Sequence, residues 1–165
     1  MSLFRPFLLK KDVMSITVDL LREMGVKALL LDVDNTLTTH NSQALDPRVL
    51  AWLENVKENG FTPIIVSNGV AERVRPFAEH LGLPFTASAA KPLPNGFLRA
   101  MKQRGLSRKE CVVIGDQIFT DVLGGKAAGM RVIQVLPIDT ATDTAFIRFK
   151  RKLERLIMKR WEMSV

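Results

Sequence analysis

Short apolar runs alternate with longer stretches in which apolar residues recur every three or four positions, and this alternation covers most of the chain. The clearest run, Ala28 to Leu31, stops at two carboxylates, Asp32 and Asp34, with Thr36 two residues further on. An unbroken run of this length predicts a strand covered on both faces, as at the centre of a parallel sheet. Thr62 to Val66, Cys111 to Ile114 and Arg131 to Val135 predict three more strands, and Leu83 to Thr86 a short one. Between them the helical period takes over. Val13, Ile16, Val18, Leu20, Leu21 and Met24 predict a helical segment within residues 1–27, stopped at Gly25. Asp46-Pro47 predicts an N-cap followed by proline at the first helical position, and Val49, Leu50, Leu53 and Val56 form that helix's apolar stripe. Helices are also expected over 71–81, bent or broken at Pro76, and over 97–103 and 120–128. A last, basic amphipathic helix is expected over 144–163.

Five strands alternating with helices predict an α/β fold with a parallel sheet and helices on both faces. At 165 residues, one domain with two terminal helical appendages accounts for the whole chain. Hydrophobic content of 47% and charged content of 25% are ordinary for a soluble globular protein. The single cysteine, Cys111, lies in an apolar run, which excludes an internal disulfide and predicts a buried strand thiol. His40 and His80 are far apart, and no Cys/His cluster points to zinc. Leu3 to Leu9 is broken by Arg5 and Pro6 and is poorly framed for a secretory signal, and no segment is long enough to span a bilayer. A cytoplasmic location is expected.

Charge changes the picture once it is located. Of the net +7, residues 28–143 contribute nothing, with 12 basic and 12 acidic side chains, while residues 144–165 carry 7 basic against 2 acidic. A neutral domain with a basic tail predicts an anionic partner surface, lipid or nucleic acid.

Open α/β sheets place their chemistry at the carboxyl ends of the strands. Here those ends are polar in a particular way. The first strand delivers Asp32 and Asp34, the second Ser67-Asn68-Gly69, the loop after the third Lys91, and the fourth Gly115-Asp116, with Asp121 five residues on. Taken singly, Asp34-Asn35 and Ser67-Asn68-Gly69 are turns, Lys91 is a surface charge, Thr36 braces a loop, and Asp121 caps a helix. Together they crowd several carboxylates beside one lysine and one hydroxyl. A divalent cation relieves such crowding, and all-oxygen ligation favours magnesium.

In these motifs the chain resembles the haloacid-dehalogenase-like (HAD) phosphatases over about residues 28–136. Asp32-x-Asp34-x-Thr36, Ser67, Lys91 and Gly115-Asp116 with Asp121 match that superfamily's four motifs in order. The resemblance implies a Rossmann-like HAD core in which Asp32 is the nucleophile that becomes an aspartyl-phosphate. It implies that Asp34 is the proton donor to the leaving alcohol and then the base that activates water. It further implies magnesium held by Asp32, the Asp34 backbone carbonyl and Asp116, with Ser67, Asn68 and Lys91 on the phosphate and Asp121 orienting Lys91 or a metal-bound water. One of the two acids is expected to stay ionised for attack while the other carries a proton. Neither Thr38 to Leu45 nor Ala87 to Ala90 is long enough for a cap domain, so the site is expected to be open and its substrate large or surface-borne.

Val113-Ile-Gly-Asp-Gln-x-x-Thr-Asp-Val-Leu-Gly-Gly125 is similar to the fourth motif of an uncapped group containing the YqeG-type proteins and mitochondrial phosphatidylglycerophosphate phosphatases. That resemblance implies a phospholipid headgroup as substrate. In the tail, Phe146, Phe149, Leu153, Leu156, Ile157 and Trp161 recur at helical steps among seven basic residues, the pattern of a helix lying on an anionic membrane. The same pattern also describes a helix covering the sheet with a solvated basic face. Three functions are open at this point: a magnesium-dependent phosphatase on a phospholipid headgroup, the same chemistry on nucleic-acid ends or phosphoproteins, and a non-catalytic RNA- or ribosome-binding module.

Overall fold

In the computed structural model, which describes residues 3–141 and 143–159, six parallel strands form one sheet. In chain order they are β1 (Leu8–Lys10), β2 (Ala28–Leu31), β3 (Thr62–Val66), β4 (Phe85–Thr86), β5 (Cys111–Gly115) and β6 (Arg131–Val135). The helices are α1 (Val18–Glu23), α2 (Pro47–Glu58), α3 (Ala71–His80), α4 (Asn95–Lys102), α5 (Leu123–Ala127) and α6 (Ala145–Lys159). The spatial strand order is β1-β6-β5-β2-β3-β4. The chain therefore runs outward from β2 through β3 and β4, then crosses back to β5. That reversal beside β2 is where such sheets hold ligands.

The sheet has six strands where five were expected. β1 is an edge strand of three residues paired only with β6, too short to show a period of two in the sequence. The N-terminal stretch is correspondingly less helical than its apolar spacing predicts. It holds β1, a 3-10 turn at Val13–Ser15 capped by Asp12, and the six-residue α1. Its Val13, Ile16 and Leu21 are fully buried, and the Trp52 indole N–H donates to the Ile16 carbonyl at 2.8 Å. This stretch is built into the core rather than appended to it.

Alternation along β2 divides the interior in two. Leu29 and Leu31 face a cluster with Leu21, Trp52, Leu53, Val56, Val74 and Phe77 from α1, α2 and α3. Ala28 and Leu30 face a second cluster with Phe97, Ala100 and Met101 from α4 and Val122 before α5. Both faces of the sheet are thus covered, which is why β2, β5 and most of β3 are apolar throughout. Asp46 caps α2 as predicted, its carboxylate accepting from the Arg48 N–H at 2.8 Å. Pro76 lies inside α3 without ending it. The helix expected over 120–128 begins instead as one wide π turn, Ile118–Val122, and tightens into α5. Thr38 to Leu45 and Ala87 to Ala90 carry no inserted domain.

Candidate active site

β2, β3 and β5 are neighbours, so their carboxyl ends deliver three of the four motifs to one place. Asp32 extends the β2 ladder by one residue, its N–H donating to the Ile114 carbonyl at 2.9 Å. The fourth group, Lys91, comes from the loop after β4. Its backbone is held by Asn68: the Lys91 N–H donates to Asn68 Oδ1 at 2.7 Å, and Asn68 Nδ2 donates to the Lys91 carbonyl at 3.1 Å. Asn68, expected on the phosphate, has its amide already committed to Lys91. From there the buried Lys91 Nζ donates to Asp32 Oδ1 at 2.6 Å and to Asp121 Oδ1 at 2.7 Å. Asp121 can approach because Gly115 has no side chain; a Cβ there would stand 2.3 Å from Asp121 Cγ.

Asp32, Asp116 and Asp121 bring carboxylate oxygens within 4.8 Å of one another, all three side chains buried. Burial pushes the Asp32 carboxyl up to about 7; Lys91 opposes that rise and the charge of Asp121 adds to it. Asp116 is driven well above the usual carboxylate range by burial and by the charges of Asp32 and Asp121, against Arg151. Burial works against the Lys91 charge, but Asp121 and Asp32 outweigh it and hold the ammonium above its ordinary value. Arg151 Nη2 lies 2.7 Å from Asp116 Oδ2, yet neither Asp116 oxygen has a hydrogen-bond donor in line. Buried acceptors without donors, in an all-oxygen cluster of like charges, fit a hard divalent cation.

Asp34 faces the other way. It is half-buried, and Arg73 donates to it twice, Nη1 to Oδ1 at 3.0 Å and Nη2 to Oδ2 at 2.6 Å. Burial alone would raise its pKa, but Arg73 and the Asn41 N–H at 2.9 Å hold it below the usual range. The two acids sit in unequal surroundings: burial raises the Asp32 carboxyl, whereas Arg73 outweighs burial and lowers that of Asp34. Burial dominates at Asp32, with the charge of Asp121 adding to it, whereas a guanidinium fork outweighs burial at Asp34.

Ser67 is buried at the end of β3, its Oγ accepting from the Gly69 N–H at 3.0 Å. Thr36 is also buried, and its Oγ1 has no partner. Sequence reasoning missed Arg73, which no motif marks. It also missed a link from the first motif to the tail: Asn35 Nδ2 donates to Asp143 Oδ1 at 3.3 Å, Arg151 Nε donates to Asp143 Oδ2, and Arg151 reaches Asp116. The spacing of Arg151 with Arg148 and Arg155 on one helical stripe was the available signal.

The family model for haloacid dehalogenase-like hydrolases matches residues 40–129, more than half of the chain. The chain belongs to the haloacid dehalogenase-like hydrolases. Within that family it is a phosphatase. It is 41% identical over 155 residues to the probable phosphatase YqeG of Bacillus subtilis (strain 168), covering 94% of this chain and 90% of that protein. It is 27% identical over 165 residues to phosphatidylglycerophosphate phosphatase 1, chloroplastic/mitochondrial, of Arabidopsis thaliana; the alignment covers 94% of this chain but spans only 47% of that longer protein. A solved structure of an uncharacterized protein from Listeria monocytogenes serotype 4b superposes with a TM-score of 0.59 at 20% identity, covering 82% of this chain and 99% of that one, a likeness of fold. The structure brings Asp32, Lys91, Asp116 and Asp121 together, and Asp32, Asp34 and Thr36 lie before the matched range.

Proposed function

We propose that this enzyme is a magnesium-dependent phosphomonoester hydrolase that converts phosphatidylglycerophosphate to phosphatidylglycerol and phosphate. The observation that carries the chemistry is Lys91 Nζ between Asp32 and Asp121, which leaves Asp32 Oδ2 without a hydrogen bond among the described residues. That oxygen attacks phosphorus, the phosphorus–oxygen bond to the leaving alcohol breaks, and the alcohol takes its proton from Asp34. Asp34, then a carboxylate, removes a proton from the water that attacks the aspartyl-phosphate, releasing phosphate and restoring Asp32. Magnesium bound among Asp32, Asp116 and the Asp34 backbone carbonyl would supply positive charge that keeps Asp32 ionised and offsets the phosphoryl oxygens. Lys91 holds Asp32 in place and faces the same oxygens, Ser67 orients them, and Asn68 fixes Lys91. Asp121 anchors the Lys91 ammonium. Asp34 must be protonated to act as acid, so Arg73 has to exchange it for the incoming phosphate.

Three observations support lipid as the substrate: the lack of an inserted domain after the first motif or before Lys91, the likeness to the Arabidopsis phosphatase, and the outer face of α6. Phe146, Phe149, Leu153 and Leu156 of that helix are exposed, interleaved with basic residues, as for a helix lying on an anionic bilayer. No helix among the described residues is long and apolar enough to cross a membrane.

The test measures phosphate release from phosphatidylglycerophosphate in anionic vesicles and from a 5′-phosphorylated oligonucleotide at equal phosphate concentration. Lipid turnover should dominate and depend on added magnesium, and Asp32→Asn should lower it by about a thousandfold or more while leaving the fold intact. Preference for the oligonucleotide overturns the lipid assignment, and near-normal turnover by Asp32→Asn overturns the mechanism.

A further inference from the structure

The face of α6 turned toward the sheet is built of charge. Arg148, Arg151 and Arg155 fall at i, i+3 and i+7, one stripe of the helix, and all three line a cavity of about 410 Å³. Asp116 forms part of its wall, so the cavity meets the carboxylate cluster that contains Asp32. Leu136 and Met158 supply apolar lining. Arg151 is committed to Asp116 and Asp143, and the remaining acid of the cavity, Glu154, accepts from the Phe119 N–H at 3.1 Å. Arg148 and Arg155 are different. Both are exposed, and neither pairs with an acid among the described residues. They stand about 10 Å apart along the helix axis, a span that two long side chains close around one anion.

We propose that Arg148 and Arg155 bind a second, non-transferred phosphate of the substrate, the phosphodiester one glycerol away from the phosphomonoester in a phosphatidylglycerophosphate headgroup. This rests on the lipid reading above and adds a specificity site to it. A guanidinium presents paired N–H donors to phosphate oxygens, and a phosphodiester keeps its charge at any working pH. The transferred phosphate would sit at Asp32, with the diester under α6. The opposite face of α6 suits the rest of the same molecule. Phe149, Leu153 and Leu156 are exposed at i, i+4 and i+7, where acyl chains or the bilayer meet them. A nucleic-acid end also carries a neighbouring diester, but an apolar outer face offers it nothing.

The experiment compares the full chain with the Arg148→Ala/Arg155→Ala double variant on two substrates. Dihexanoyl phosphatidylglycerophosphate, kept below its micelle concentration, tests headgroup recognition without a bilayer; p-nitrophenyl phosphate has no second phosphate. The ratio of kcat/KM for lipid over p-nitrophenyl phosphate should fall about tenfold in the variant, the fall lying in KM rather than kcat. Arg148→Lys/Arg155→Lys should recover part of it. An equal change on both substrates, or no change on either, overturns the proposal. So does a loss seen with a 5′-phosphorylated dinucleotide and not with the lipid. If the native enzyme does not hydrolyse the lipid at all, the substrate reading fails, and glycerophosphoglycerol, which has the diester alone, decides the cavity. Its binding should shift the Leu136 and Thr140 amide resonances in the native chain and not in the double variant; absence of binding, or binding that the variant keeps, overturns the site.

Discussion

Gly115 shows how little room the carboxylate cluster leaves. Its missing Cβ is what lets Asp121 stand behind Lys91, since an added methyl would lie 2.3 Å from Asp121 Cγ and 2.5 Å from Oδ2. Gly115→Ala should therefore cost about 1–3 kcal/mol by overpacking and pull Asp121 off Lys91. Urea melts and turnover of p-nitrophenyl phosphate should both drop; a variant with native stability and rate would show that Asp121 has slack. Cys111 tests burial elsewhere in the same strand. Burial pushes its thiol up to about 11, so little of the reactive thiolate exists near neutrality. At pH 8 roughly one thiol in a thousand is ionised, and it is enclosed besides. Iodoacetamide should leave Cys111 unlabelled in the native protein and label it once guanidinium unfolds the chain; rapid native labelling would contradict the packed strand. Asp32, Asp34 and Asp116 were legible in the sequence because they come at the ends of apolar runs, and Lys91 and Asp121 because they match the family's motifs in order. Arg73 was not, because it stands on a helix and meets Asp34 across 39 residues of chain.

At the scale of elements, α6 departs most from its pattern. An amphipathic helix ordinarily turns its apolar stripe inward. Here Arg151 and Glu154 are the buried residues, and Phe146 is 70% exposed, Phe149 59% and Leu156 59%. Only Ile157 and Met158 pack against the second core cluster. The carboxylates Asp116 and Asp143 attract Arg151 to the sheet end, and this rotates the apolar stripe outward. Trp161, part of that stripe in the sequence, lies outside the described residues. Phe149→Glu with Leu156→Glu should abolish flotation with anionic vesicles without lowering the melting temperature, because neither side chain supports the core. A large drop in melting temperature would instead mean that the stripe packs inward. The helices α2 and α3 were legible because their apolar spacing matches what they bury. β1 was not, because three residues carry no period.

For the whole molecule, the cost of the site should appear as a dependence of stability on magnesium. Asp32, Asp116 and Asp121 repel one another, and a cation bound only by the folded state stabilises it by mass action, about 2.7 kcal/mol at a hundred times its dissociation constant. At about 2–4 °C per kcal/mol for a domain of this size, saturating magnesium should raise the melting temperature by roughly 5–10 °C. Asp116→Asn should remove most of that rise. An equal rise in native and variant protein would place the cation elsewhere. This measurement needs no substrate, so it separates the metal site from the choice of substrate.

The alternation of apolar runs and helical stripes by itself determined a parallel α/β sheet with helices on both faces, because a strand covered twice has to be apolar throughout and its covering helices have to be amphipathic. It also determined where Asp32 and Asp116 stand, since acids placed directly after such runs can only emerge at the sheet's carboxyl edge. The family resemblance had already offered Lys91 as a partner of Asp121, but tertiary structure alone put Arg73 on Asp34 and Arg151 on Asp116. Lys91 between Asp32 and Asp121, Arg73 on Asp34, and Arg151 between Asp116 and Asp143 join residues 30 to 59, 39, and 8 to 35 positions apart in the chain. Charge pairing in a desolvated cluster depends on distances of a few ångströms, and local periodicity holds no record of them.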